Sequence, residues 1–236
     1  MSEVLARAKS LRETAKSRTA SADRRKGRTG KADYSEPIEL LGEAIKLLSG
    51  ELEAAGGRAG DEAEARVARR ELASALVDCY GMLGGAYRRA GDLDRSIEAY
   101  DAGQAYEWDA NYDVQNSYNI TNAIAVRILR DPGSLASLHD QIGKAIELIR
   151  KQVNGKRRNQ WWAWADLGEL RLLAGRFDEA REAYREFRQR GPRAADYEST
   201  VAVLEELAKA VAGVDERVAA AITSTTDTLN ESKPSV

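Results

Sequence analysis

Apolar residues recur every three or four positions along most of the chain, so the pattern predicts a succession of amphipathic helices rather than a sheet. Val4, Leu5, Ala8, Leu11 and Ala15 mark a first helix over residues 2 to 18. The stretch Ser17 to Lys31, SRTASADRRKGRTGK, has no apolar period and reads as a flexible loop. Ile38, Leu41, Ile45, Leu48 and Leu52 define a helix from about Asp33 to Ala55, with Pro37 in the first turn, where its missing N–H costs little. After the break GGRAGD a long helix runs from Asp61 to Ala90 through Leu72, Leu76, Cys79, Tyr80 and Leu83. A partner helix follows from GDLDRSIEAYDAG.

Two further helices, Asn111 to Arg130 and Ser134 to Val153, flank a turn at DPG. Residues Trp161 to Pro192, WWAWADLGELRLLAGRFDEAREAYREFRQRGP, form a helix, a tight turn and a second helix. A last amphipathic helix spans Ala194 to Ala212 through Tyr197, Val201, Leu204, Leu207 and Val211. The polar residues 214–236 are expected to be a disordered tail.

Within residues 161–192, Trp164, Leu167, Gly168 and Arg171 are followed by Ala180, Tyr184, Phe187 and Pro192. That order resembles the tetratricopeptide (TPR) pattern W-x2-L-G-x2-Y, then A-x3-F, then P, with Arg171 replacing the usual aromatic. Eighty-four residues earlier Tyr80, Leu83, Gly84, Tyr87, Ser96, Tyr100 and Gly103 fall in the same phase, with a lengthened unit between the copies. The resemblance implies an all-α fold, a helical-hairpin repeat array wound as a right-handed solenoid with a C-terminal capping helix. On this reading residues 1–32 are a basic helix and loop, and residues 33–213 the repeat domain.

Residues 111–210 also resemble the TRAFs-binding domain, a TPR region of apoptosis signal-regulating kinases and related bacterial proteins. The likeness rests on YNITNAIAVRIL, LHDQIGKAIELI, the tryptophan helix, and Pro192 with Tyr197, Ser199 and Thr200, which match in order and depart in spacing.

The composition suits such an array: 43% hydrophobic and 31% charged residues with 4 Pro. The net charge of −2 hides an asymmetry, because residues 1–31 hold ten Lys or Arg against three acids. One cysteine, Cys79, excludes an internal disulfide and fits a reducing, cytoplasmic setting. No apolar run approaches the roughly 20 residues that span a bilayer, and no apolar segment at the start reads as a secretory signal.

The repeat resemblance implies a non-catalytic scaffold or adaptor that binds a peptide or protein partner in a concave groove, in a signalling or defence assembly. In phase with the family, Tyr112, Gln115, Asn116, Asn119 and Asn122 would face the groove. Asp78, Met82, Arg88 and Arg89 would lie on one side of them, and Trp162, Asp166 and Glu169 on the other. Asn116, Asn119 and Asn122 are three apart and share a helix face, either to bind a peptide backbone or to bond neighbouring helices. Helical phase puts Trp164 in the core and offers Trp162 to a partner.

The alternative is a nucleic-acid contact through Arg24, Arg25, Lys26, Arg28 and Lys31, joined by Lys156, Arg157 and Arg158. No aromatic residue interleaves the N-terminal cluster to stack on bases. An enzyme would need a pocket converging on His139 or Cys79, but Ser137 and Asp140 point away from the only histidine. Neither a phosphate-binding glycine loop nor a metal-ligating Cys/His cluster occurs, so no cofactor and no metal are expected.

Overall fold

The computed structural model describes residues 2–30, 32–56 and 62–234. Among them the fold is all-α, with ten α-helices that pack in consecutive pairs. The chain divides into two compact units, residues 1–123 and 124–236.

Unit 1 begins with α1 (Ser2–Thr29), paired with α2 (Ser35–Gly56). The predicted loop over residues 17–31 is instead the second half of α1. Ala8, Ala15 and Ala22, seven residues apart, form a buried stripe along one side of the helix. Alanine is the strongest helix former, and its single methyl lets the α2 backbone approach closely. The far end of α1 is also pinned: the Tyr34 hydroxyl donates to Asp23 Oδ1 at 2.7 Å, and Lys26 Nζ donates to the Arg89 carbonyl at 3.2 Å. Lys31 and residues 57–61 of the expected GGRAGD break lie outside the described residues.

The long α3 (Glu62–Ala90) packs against α2 and forms a hairpin with α4 (Leu93–Trp108). Leu48, Leu72, Leu76 and Cys79 share the core of the first three helices. In the hairpin, Gly84 lies under Tyr100 so closely that a Cβ there would sit 2.7 Å from the ring. Gly91, at φ +85°, closes α3 in the left-handed region that glycine enters at no steric cost.

The helix expected over 111–130 starts seven residues late, as α5 (Tyr118–Arg130). Local hydrogen bonds win over the helix in the preceding segment. Asp109 Oδ1 accepts from the Asn111 N–H at 2.9 Å, Asp113 adopts φ 49°, and Asn116 Oδ1 accepts from the N–H groups of Ser117 and Tyr118 at 2.8 and 3.1 Å.

Unit 2 continues α5 into a 3-10 turn at Pro132–Leu135 and α6 (His139–Val153). The predicted helix from Ser134 is therefore split, because Leu135 and Leu138 are buried around a turn held by Asp131 Oδ1 and the Gly133 N–H at 3.1 Å. Next come the hairpin α7 (Trp161–Leu173) and α8 (Phe177–Gln189), then the pair α9 (Ala194–Val211) and α10 (Glu216–Glu231). The second hairpin repeats the first at an 84-residue offset: a Cβ on Gly168 would lie 2.6 Å from the Tyr184 ring, and Gly175 closes α7 at φ +72°.

Helix α10 replaces the predicted disordered tail. Asp215 caps it by accepting from the N–H groups of Arg217 and Val218, and Val218, Ala219, Ile222, Thr226 and Leu229 are buried. Threonine hydroxyls at 223, 225, 226 and 228 each donate to the carbonyl four residues back, so a polar sequence still satisfies itself as a helix.

Candidate partner-binding cavity

Unit 1 contains a solvent-open cavity of about 390 Å³ between α1, α3 and the start of α5. Helix α1 supplies Arg12, Glu13 and Lys16; α3 supplies Asp78 and Met82; the α5 start supplies Asn116 and Tyr118. Arg12 and Asp78 form an ion pair between α1 and α3. Partial burial lifts the Asp78 carboxyl above its usual range, while Arg12 pulls it back toward the charged form. Tyr118 is 44% exposed, and its inner edge packs against Tyr100 at 6.1 Å and over Gly81, which has no side chain to displace it. The cavity therefore offers an aromatic plate, a thioether, an amide and charges of both signs. Such a mixture suits a peptide segment better than a uniformly charged polymer.

Of the predicted groove residues, Asp78, Met82 and Asn116 meet in this cavity. Others have structural work. Asn119 is fully buried, its amide donating to the Val77 carbonyl and to Glu107 Oε1, both at 3.0 Å. Glu107, only 4% exposed, also accepts from the backbone N–H of Asn119 at 3.0 Å and of Ile120 at 2.9 Å. Its carboxylate thus caps α5, where the free N–H groups and helix dipole favour an anion.

Asn119 is a core residue, and the predicted row Asn116–Asn119–Asn122 does not form a ligand ladder. Asn116 precedes the helix, while the Asn122 amide donates to the Tyr118 carbonyl at 2.8 Å. Half-buried Tyr112 packs on Tyr106 at 5.4 Å, and Gln115 donates to Asp113 at 2.9 Å.

No protein-family model and no curated protein matches the chain.

The remaining positions are not part of the cavity lining. Arg88 and Arg89 close α3, with Arg89 Nε 3.5 Å from Asp23 Oδ2. Trp162 is 43% exposed, edge-on to Trp161 at 5.4 Å, as helical phase predicts. Asp166 lies 4.0 Å from the guanidinium of Arg157, and Glu169 lies close enough to the Tyr184 phenol to help raise its pKa. Trp164 is half-buried rather than core: its indole N–H donates to the Arg158 carbonyl at 2.9 Å, and Arg190 covers its ring at 4.5 Å.

Among the cations of the nucleic-acid alternative, Arg24, Arg25, Lys26 and Arg28 lie exposed on α1. Arg157 drops out, since it is fully buried and donates to Gln152 and Gln160 at 2.6 and 2.7 Å. Cys79 is buried, and desolvation pushes its thiol up to about 11. His139 is exposed at the start of α6.

Arg12, Glu13, Lys16 and Tyr118 are among the cavity residues that sequence reasoning missed. Their signal was weak, because a basic i, i+4 pair on a helix reads as a solvated face until α1 is known to lie along α3.

Proposed function

We propose that the chain is a non-catalytic interaction module of the TPR type that holds a peptide or protein partner in the unit 1 cavity. The observation that carries this reading is the joining of Asp78, Met82 and Asn116 with the half-exposed Tyr118 in one open cavity of about 390 Å³. Glycine-on-tyrosine packing at both Gly84 and Gly168, with a left-handed glycine ending the first helix of each hairpin, supports the repeat assignment. A buried thiol held protonated at Cys79 supports an interaction role over a nucleophilic one. No described helix is long and apolar enough to cross a membrane. A cytoplasmic signalling or defence setting rests on the TRAFs-binding-domain resemblance alone.

The test is selection of peptides from a displayed library on the intact chain, followed by fluorescence anisotropy with Lys16→Glu and Tyr118→Ala variants. Selected peptides should bind the variants at least tenfold more weakly while helical circular dichroism is unchanged. Failure to enrich any peptide, or equal binding by both variants, overturns the reading. Salt-dependent binding of single-stranded nucleic acid that is lost in Arg24→Glu with Arg25→Glu would put the N-terminal alternative in its place.

A further inference from the structure

Arg171 stands where the repeat pattern calls for an aromatic, and the partner-binding reading gives that replacement no role. In the first hairpin the equivalent residue is Tyr87, with Arg95 over its ring at 5.8 Å. In the second, Arg171 instead donates through Nη1 to the Glu179 carbonyl at 2.9 Å and lies 3.4 Å from the Glu179 carboxylate. Two other positions, one on α8 and one at its C-cap, change in the same direction: Asp101 and Tyr106 of the first hairpin become Arg185 and Arg190. The Tyr80–Tyr106 stack at 6.3 Å becomes Arg190 over Trp164 at 4.5 Å.

These three arginines and Arg158, from the turn before α7, line one cavity of about 460 Å³ in unit 2. Its wall also holds the carboxylates of Glu182 and Glu186, so the lining carries four cations against two anions. The Glu186 carboxylate is engaged by Arg190 at 2.7 Å. The exposed guanidinium groups of Arg158 and Arg185 have no carboxylate partner among the described residues. Arg171 is nine-tenths buried, and its Nε has no hydrogen-bond acceptor. Burial lowers the Arg171 pKa, a cost that an anion in the cavity would relieve.

We propose that this arginine-lined cavity is a binding site for a phosphate monoester, separate from the unit 1 cavity and independent of what that cavity binds. With Arg171 paired to Glu179 and Arg190 to Glu186, the two guanidinium groups left without carboxylate partners among the described residues, Arg158 and Arg185, can meet the roughly −1.5 to −2 charge of such a group at neutral pH. Guanidinium forks fit tetrahedral oxyanions, and they hydrogen-bond them in pairs. Bare phosphate would leave most of the volume empty, whereas a monoester brings its carrier into the space beside Trp164 and Asn154.

Isothermal titration of the full chain with phenyl phosphate at 150 mM salt tests the site, with sulfate as the competing anion. Saturable one-to-one binding is expected, weakened at least tenfold by Arg185→Glu and by Arg158→Glu. Both side chains are exposed, so circular dichroism should report an unchanged fold, and Arg66→Glu in unit 1 should leave binding intact. Adenosine monophosphate and a phosphoserine peptide form two further arms, and tighter binding by one identifies the carrier. Absence of saturable binding, equal affinity for sulfate, or equal weakening by Arg66→Glu overturns the proposal. So does binding that neither cavity variant changes.

Discussion

Replacing Asn119 by alanine tests the polar core of unit 1. The substitution removes an amide that donates to Glu107 Oε1 and to the Val77 carbonyl, both at 3.0 Å. It also opens a void above Gly103, whose missing side chain makes room for that amide. A hydrogen bond to a charged acceptor contributes about 1.5–3 kcal/mol, a neutral one about 1, and a void of a few tens of Å³ costs roughly 1. These overlap, so the expected loss is about 3 kcal/mol, a large share of a typical domain stability of 5–15 kcal/mol. Urea unfolding followed by far-ultraviolet circular dichroism measures it. Hydrogen exchange at the Ile120 amide, which donates to Glu107 at 2.9 Å, reports the local effect. A double-mutant cycle with Glu107→Ala should give a coupling of at least about 1 kcal/mol. A loss below about 0.5 kcal/mol with Ile120 protection intact would show that the amide is dispensable to the core and refute its structural role.

Gly168→Ala should destabilise the chain by about 1–3 kcal/mol in thermal melts, although alanine is the better helix former by about 1 kcal/mol, because its Cβ meets the Tyr184 ring. A raised melting temperature would contradict that contact. Trp164→Ala should cost only about 1–3 kcal/mol, the sum of one hydrogen bond and one cation–π contact, and wholesale loss of helicity would return Trp164 to the core. Ala22→Glu places a charge in the buried stripe and should open α1 to trypsin at Arg24 and Arg25, whereas unchanged protection would mean the stripe is not packed. Burial and Asp23 raise the Tyr34 phenol to about 12, above its ordinary 10. The unfolded chain therefore loses this proton first, and the contribution of Tyr34 is complete below pH 10 and lost as pH rises toward 12. Alkaline unfolding in that window should be less steep in Tyr34→Phe, and identical profiles would refute the linkage.

Helices with large apolar side chains at helical spacing were legible in the sequence: α2, α3 and the α7–α8 hairpin follow from Leu41 and Leu48, from Leu72 and Leu76, and from Leu167 and Phe187. The second half of α1 was not, because three alanines in a basic, serine-rich stretch carry little hydrophobic signal. Helix α10 was hidden by threonines whose hydroxyls the helix itself satisfies. The Asn116–Asn119–Asn122 spacing defined a face only on the premise of a continuous helix, and Asn116 ends that premise by capping α5. Spacing also cannot tell a buried amide from a presented one; that depended on Glu107, twelve residues away, which carries no sign of burial in sequence.

The Glu107 carboxylate has a consequence for assembly. Arrays of similar hairpins risk docking on the wrong neighbour, because their apolar faces are nearly interchangeable. Here the end of α4 presents a buried anion that the start of α5 engages with two backbone N–H groups and one amide. The second hairpin, with Phe187 where the first has Gly103, has no room for the Asn119 amide and could not stand in for it. A neighbour without those three donors would leave that charge dehydrated and less well matched. The polar junction works as an address within the chain, specifying what packs on the end of the first hairpin.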